Sequence, residues 1–159
     1  MKSLEVMDRC SGFCNYSSDR NNMKTIAIDL DGTLAEYSGY KGIDIIGDPI
    51  PGAREFVKKL SEKALILIFT CRVTYKEDGR FTGQLSVLQR HSIIIEWMKK
   101  HDIYYDEIYI GQGKPYACAY VDDRAVKVEA EDKDTFEKAY EECTKLLEKY
   151  KGNYSNETL

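Results

Sequence analysis

The sequence lacks the features that mark membrane and exported proteins. No stretch approaches the roughly 20 apolar residues of a membrane-spanning helix, and the opening residues, MKSLEVMDRCSGFC, lack the apolar core of a signal peptide. A net charge of −4 argues against broad electrostatic binding to nucleic acid or anionic membranes, although a local basic patch could still bind phosphates. We therefore expect a cytoplasmic protein with no membrane partner.

Paired cysteine spacings are also missing. The five cysteines are odd in number and scattered, unlike those of a disulfide framework or a zinc site, so we expect free thiols. Cys10 and Cys14 form an isolated C-x-x-x-C pattern, which is a weak indication of metal binding without a second pair. The sequence contains no internal repeat and no G-x-x-x-x-G-K-[ST] motif, so it predicts no kinase-type phosphate loop.

What the sequence does contain is an alternation of apolar strands and amphipathic helices, in a chain long enough for one domain. Strands are predicted over residues 24–29, 64–70, 107–111 and 118–122, and helices after Pro51 and over residues 84–101 and 134–150. This order predicts an α/β fold, a three-layer Rossmann-like parallel sheet with helices on both faces and no cap domain. Residues 1–22 and 152–159 are interpreted as flexible extensions of a folded domain that spans residues 23–151.

The last predicted helix has a stripe of apolar residues along one side. Its members are Phe136, Tyr140, Cys143, Leu147 and Tyr150. Since a helix buries its apolar side, we expect this stripe to cover the sheet.

Polar side chains cluster where the predicted strands end. Asp29 and Asp31 end the first strand, Thr70 ends the second, and Asp122 and Asp123 end the fourth. The carboxyl ends of parallel strands meet at one edge of a sheet, where ligands bind. Converging carboxylates repel each other unless a cation neutralises them, and hard oxygen ligands favour Mg²⁺. With Lys114 in the loop before the fourth strand, the set suits phosphoryl transfer.

Each of these residues also has a simpler interpretation. An acidic strand end is often a turn or a helix cap, and Asp122 with Asp123 could cap the turn at Arg124. Thr70 alone could be an ordinary strand residue, and Lys114 alone an exposed one. The combination, in order along the chain, favours the catalytic interpretation.

The combination resembles the four ordered motifs of the haloacid dehalogenase superfamily of phosphohydrolases. The matching motifs are DLDGT at residues 29–33, IFT ending at Thr70, GKP around Lys114 and YVDD ending at Asp123. They span about residues 24–124, most of the predicted domain. Lys114 lies only eight positions before Asp122, whereas the superfamily usually has a helix between these motifs.

The resemblance implies a role for each residue of the set. Asp29 would be the nucleophile that forms an aspartyl-phosphate, and Asp31 would protonate the leaving alcohol and then activate water. Asp29, the backbone carbonyl of Asp31 and Asp122 would hold Mg²⁺, with Asp123 a ligand through water or a partner for Lys114. Thr70 and Lys114 would donate to the phosphoryl oxygens. The candidate substrate-binding residues are Gly32, Thr33, Cys71, Arg72 and Arg80.

These observations favour a Mg²⁺-dependent phosphomonoester hydrolase with a small-molecule or nucleotide phosphoester substrate. A basic segment contains Arg72, Lys76, Arg80 and Arg90. Together with DGTLA, VDDRA and the helix IIIEWMKKHDI, it is locally similar to the phosphatase domain of polynucleotide kinase 3′-phosphatases, so a polynucleotide end is an alternative substrate. A non-catalytic phosphate-ligand binding protein and phosphotransfer to an acceptor other than water are further alternatives. The open site that a missing cap implies also leaves a homo-oligomer as an alternative, closed by a second subunit.

Overall fold

A parallel sheet of four strands forms the centre of the computed structural model. The strands are β1 (Thr25–Ile28), β2 (Leu65–Ile68), β3 (Glu107–Ile108) and β4 (Ala119–Val121). Their order across the sheet is β3-β2-β1-β4, and all neighbours are parallel. The structure describes residues 23–73, 85–111 and 113–150. It confirms the predicted Rossmann-like α/β fold class, whereas the predicted extensions at residues 1–22 and 152–159 lie outside the described residues, as do Cys10 and Cys14.

Three helices accompany the sheet. They are α1 (Ala53–Ser61), α2 (Val87–Lys100) and α3 (Thr135–Lys149). A capping box begins α2, because the Ser86 side chain accepts from the Gln89 N–H and the Gln89 side chain accepts from the Ser86 N–H. Helix α1 instead begins after Gly52, which has a φ of 88° and offers no side-chain cap. None of the described helices has the length and apolarity needed to cross a membrane.

The hydrophobic core lies between one face of the sheet and helices α1 and α2. Its central members are Ile28, Ile66, Ile68 and Ile108 from the strands, Val57 from α1, and Ile94, Trp97 and Met98 from α2. On the opposite face, Ala27 and Leu67 are also buried, so both faces of the two central strands are covered. This double burial explains why their sequences are continuously apolar.

No inserted domain lies between these elements in the described part of the chain. A loop joins β1 to α1, and the described residues between β2 and β3 form a 3₁₀ turn (Cys71–Val73) and α2. Cys71, Cys118 and Cys143 are free thiols, as predicted.

The prediction for the apolar stripe of α3 was wrong. Phe136, Tyr140 and Leu147 are each more than 70% exposed, and Cys143 is exposed as well. Thr135 is the buried residue of this helix, and hydrogen bonds hold the helix near its two ends. Thr135, which is buried, accepts from the Glu129 N–H with its hydroxyl, and Tyr150 donates its hydroxyl hydrogen to Asp123. Of the predicted stripe, Tyr150 alone faces the domain.

Candidate active site

Three strand ends meet at one edge of the sheet. Ile28 pairs with Ile68 on β2 and with Val121 on β4, so the residues that follow these strands lie side by side. The N–H of Asp29 donates to the Val121 carbonyl at 2.9 Å, which continues the pairing to the start of the loop. The parallel register therefore brings Asp29 close to the Asp122–Asp123 pair.

The turn after β1 lies close to Asp123, because it contains a glycine at the point of contact. Gly32 has a φ of 89°, a conformation that favours glycine, and a Cβ atom there would lie 2.7 Å from Asp123 Oδ2. The Thr33 hydroxyl accepts from the Asp123 N–H at 3.0 Å. Gly32 and Thr33 were predicted to contact substrate; the structure places both against Asp123. Their observed contacts fix the position of this carboxylate.

Three carboxylates form an acidic cluster at this edge. Asp29, Asp122 and Asp123 each offer an oxygen, and these oxygens lie within 4.8 Å of one another. Asp123 Oδ1 is buried and accepts no hydrogen bond within the described part of the chain. Arg124 Nε lies 4.0 Å from this oxygen, too far for a hydrogen bond. A buried carboxylate oxygen without a donor is costly, and a bound cation would compensate for the missing hydrogen bond.

Electrostatics within the cluster suit a cation. Burial raises the pKa of Asp29 to about 7, a hydrogen bond from the Leu30 N–H opposes this shift, and the carboxylates of Asp122, Asp31 and Asp123 add to it. Three features fit a hard divalent cation: the acceptor-only oxygens, the Asp123 Oδ1 atom that accepts no hydrogen bond within the described residues, and the close approach permitted by Gly32. The cluster is therefore a candidate metal centre.

Asp31 lies outside this cluster and pairs with Arg72. Arg72 Nε is 2.7 Å from Asp31 Oδ2, and Arg72 Nη2 is 2.8 Å from Asp31 Oδ1, so the pair is bidentate. The arginine side chain is 5% exposed and the aspartate side chain 17%. Asp31 was predicted to bind the metal through its backbone carbonyl, which stays a prediction, and its side chain is held by a cation of the protein.

Thr70 and Cys71 follow β2 at the same edge. Thr70 is buried, and its hydroxyl accepts from the Arg72 N–H at 3.3 Å. Partial burial raises the pKa of the Cys71 thiol, the Asp29 carboxylate raises it further, and Arg124 opposes the shift. Cys71 therefore lies near the acidic cluster as a neutral thiol.

Lys114 is not brought to the carboxylates. Its Nζ lies 4.0 Å from the centroid of the Tyr120 ring, and among the described residues it forms no ion pair with an aspartate of the cluster. The short connection before β4 explains this position, because only seven residues separate Lys114 from Asp122. Arg80, predicted to bind substrate, lies outside the described residues, as does Lys76.

Two residues beside Asp123 were missed by the sequence analysis. The Tyr150 hydroxyl donates to Asp123 Oδ2. Arg124 places its guanidinium carbon 4.6 Å from the centroid of the Tyr150 ring and its Nε 4.0 Å from Asp123 Oδ1. Arg124 could have been found from its position directly after the acidic pair, but Tyr150 comes 27 residues later and has no motif around it.

A loop over residues 36–48, here called the β1–α1 loop, borders the site. The Glu36 N–H donates to the Asp48 carbonyl at 2.8 Å, and the Trp97 indole N–H donates to the Gly47 carbonyl at 2.9 Å. The loop encloses a cavity of about 210 Å³, and Arg72 forms part of its lining. Arg72 therefore contacts both this loop and the carboxylate of Asp31.

No protein-family model matches this chain, and no curated protein matches it. Among solved structures, a conserved protein from Bacteroides thetaiotaomicron is 29% identical with a TM-score of 0.45, over 66% of this chain and 79% of that one. A target protein from Vibrio cholerae is 29% identical with a TM-score of 0.41, over 80% of this chain and 98% of that one.

A third solved structure is the D,D-heptose 1.7-bisphosphate phosphatase from B. bronchiseptica, complexed with magnesium and phosphate. It is 18% identical with a TM-score of 0.39, over 81% of this chain and 64% of that one. None of the three is described as a polynucleotide kinase, and that local similarity stays a prediction.

Proposed function

We propose that this protein is a Mg²⁺-dependent phosphomonoester hydrolase that acts through an aspartyl-phosphate at Asp29. The observation that carries this proposal is the separation of the acids at the sheet edge. Asp29, Asp122 and Asp123 converge around one point, while Asp31 is held apart by Arg72. One group of acids can bind a cation, and the remaining acid can move protons.

In the first step, a carboxylate oxygen of Asp29 attacks the phosphorus atom of the substrate. The bond between phosphorus and the ester oxygen breaks, and Asp31 gives a proton to the departing oxygen. The products are a free alcohol and a phosphorylated Asp29. A carboxylate has about four lone-pair positions and the bidentate arginine takes two, so a remaining position on Asp31 can carry the proton that passes to the leaving group.

In the second step, Asp31 takes a proton from a water molecule whose oxygen attacks the same phosphorus. The bond between phosphorus and the Asp29 oxygen breaks, and inorganic phosphate leaves. Asp31 thereby regains the proton that the next cycle needs.

Asp29, Asp122 and Asp123 would hold the metal through their side-chain oxygens. When bound, Mg²⁺ would offset their negative charges and those of the phosphoryl group. Thr70, buried at the same edge, is proposed to donate to a phosphoryl oxygen. We assign no step to Lys114, because it would have to leave the Tyr120 ring to reach the site.

The test is release of inorganic phosphate from an aryl phosphate, measured with Mg²⁺ and with a chelator. We expect release that requires the metal and that disappears in Asp29→Asn. The matched control is Asp134→Asn, since Asp134 is exposed and its side chain makes no capping hydrogen bond. Release that persists in chelator, or in Asp29→Asn, would contradict the proposal.

The same assay distinguishes the proposed hydrolase from the alternative, a non-catalytic phosphate-ligand binding protein. That alternative requires tight binding of inorganic phosphate in the presence of Mg²⁺ without turnover of any ester in a broad panel. Adding an alcohol acceptor and identifying the products distinguishes hydrolysis from phosphotransfer.

A further inference from the structure

Arg72 uses every donor of its side chain within the protein. A guanidinium group has five N–H donors. Two of them bind Asp31, at 2.7 and 2.8 Å, as described above. The other three donate to backbone carbonyls of the β1–α1 loop, to Gly42 at 3.1 Å, Ile43 at 2.9 Å and Ile45 at 2.9 Å.

This pattern leaves no donor for a substrate. To bind a phosphoryl oxygen, Arg72 would have to give up one of five hydrogen bonds, and the acceptor left behind would lose that bond. The arginine is 7% exposed, so water cannot readily replace the lost bond. A substrate contact by the side chain, which the sequence analysis predicted, is therefore disfavoured in this conformation.

The three carbonyls show what the arginine does instead. The base of the β1–α1 loop is fixed by the bonds of Glu36 to Asp48 and of Trp97 to Gly47. Further along the loop, Ile46 packs against the hydrophobic core, whereas Ile45 is 50% exposed. Arg72 connects the middle part of the loop to Asp31.

We propose that Arg72 is a positioning residue that couples the conformation of the β1–α1 loop to the orientation of Asp31. The proposal rests on the proposed function, because it treats Asp31 as the proton donor and acceptor. Two parallel N–H bonds fix the plane of the Asp31 carboxyl group, and three bonds on the other side hold the loop. An ordered loop thus favours a correctly oriented Asp31.

The experiment compares Arg72→Ala and Arg72→Lys with the wild-type protein on two substrates. An alkyl phosphate needs its leaving group protonated, whereas an aryl phosphate with a good leaving group needs this much less. Since misplacing a catalytic group by about 1 Å can cost about 100-fold, we expect kcat on the alkyl phosphate to fall by about 100-fold. On the aryl phosphate we expect a fall of less than about 10-fold. The matched control is Arg54→Gln, which removes an exposed arginine paired with Asp102.

A second measurement uses no substrate. Hydrogen exchange of backbone amides in residues 40–47 should become faster in both Arg72 variants and stay unchanged in Arg54→Gln. Guanidinium ion at millimolar concentration should restore activity on the alkyl phosphate in Arg72→Ala, because it can fill the space left by the side chain. A residue that only supports the fold would give neither the substrate difference nor the rescue. If Arg72→Ala fails to fold, Arg72→Lys carries the comparison, because it keeps the charge but cannot make all five bonds.

Three outcomes would overturn the proposal. Equal losses on both substrates, together with weaker inhibition by inorganic phosphate, would make Arg72 a direct phosphate ligand. Unchanged hydrogen exchange in residues 40–47 would remove the coupling to the loop. Full alkyl phosphatase activity in Arg72→Ala would remove the effect on Asp31. If the wild-type protein hydrolyses no phosphoester, the proposed function fails, and the exchange measurement still decides whether Arg72 holds the loop.

Discussion

Two carboxylates of the same turn, Asp29 and Asp31, have opposite surroundings. Asp29 shares its edge of the sheet with Asp122 and Asp123, and burial with these negative neighbours raises its pKa to about 7. Asp31 faces a buried arginine that binds both of its oxygens. The first environment needs a positive charge from outside the chain, whereas the second is balanced within it. Asp29, whose negative neighbours are not neutralised within the cluster, is therefore suited to binding a cation. Asp31, whose charge is balanced by Arg72, is suited to being held in a fixed orientation.

The largest effect should come from removing the nucleophile. Asp29→Asn should lower phosphate release on the order of 10⁴-fold or more, because an amide is a poor nucleophile and a weaker metal ligand. Phosphate release in single-turnover and steady-state assays checks this. Wild-type activity in the variant would show that the nucleophile is another residue, and the proposed difference in role between Asp29 and Asp31 would then be wrong.

The second prediction concerns pH and the metal-free protein. Between the unfolded pKa of 3.8 and the folded value of about 7, the folded state keeps a proton on Asp29 that the unfolded state has lost. Stability should therefore fall as pH rises through this window, by on the order of 2–4 kcal/mol, and then level off. Urea unfolding between pH 4 and 8 measures it. Asp29→Asn should remove this decrease, and Mg²⁺ should offset it above pH 7.

The third prediction applies the same substitution to the other acid. Asp31→Asn should destabilise the protein by about 2–3 kcal/mol at pH 7, because it leaves the buried Arg72 guanidinium without its counter-charge. Asp29→Asn should instead be stabilising at that pH without metal. Urea unfolding of the two variants side by side checks the sign. If both substitutions shift stability in the same direction, the contrast between the two environments is wrong.

The fourth prediction tests the close approach of the turn to Asp123. Gly32→Ala should cost about 2–3 kcal/mol and weaken Mg²⁺ binding, since it combines an unfavourable φ with a collision with the carboxylate. Gly52→Ala is a matched control, because Gly52 has nearly the same φ, 88°, with nothing within 4 Å of a Cβ there. It should cost only about 1 kcal/mol and leave Mg²⁺ binding unchanged. Calorimetric titration with Mg²⁺ and urea unfolding separate the two effects.

The smallest expected effect is at the far end of α3. Tyr150→Phe removes the hydroxyl that donates to Asp123 and should cost about 1 kcal/mol of stability, with a few-fold change in Mg²⁺ affinity. Tyr140→Phe, at a 73% exposed position of the same helix, should change neither. The readouts are thermal unfolding and metal titration, and an equal effect of both substitutions would show that Tyr150 does not support the cluster.

The sequence was sufficient for those parts of the site that follow from strand register. The apolar runs predict the strands, parallel pairing aligns their ends, and Asp29, Asp122 and Asp123 consequently meet. The functional roles of these residues stay predictions. Residue type and order were informative here because each acid directly follows a strand.

Other features depend on contacts that leave no pattern in the sequence. Three of the five acceptors of Arg72 are backbone carbonyls, which any residue type can supply, and they lie 27 to 30 positions away. The contacts of α3 with the domain include hydrogen bonds of Thr135 and Tyr150, near its two ends. The neighbouring row of larger apolar side chains therefore gave a misleading prediction.

The strand order has a consequence for how the protein reaches its native state. β1 pairs with β2, the next strand along the chain, but its other neighbour, β4, is the last strand of the sheet in sequence. The hydrogen bond between Thr33 and Asp123 closes a separation of 90 residues. Closing so long a loop has a larger entropic cost than forming the pair of β1 and β2, which favours late formation of such contacts. During synthesis, the ribosome must release β4 before the acidic cluster can form. The three carboxylates of Asp29, Asp122 and Asp123 therefore come together only after most of the residues of the apolar core have been synthesised.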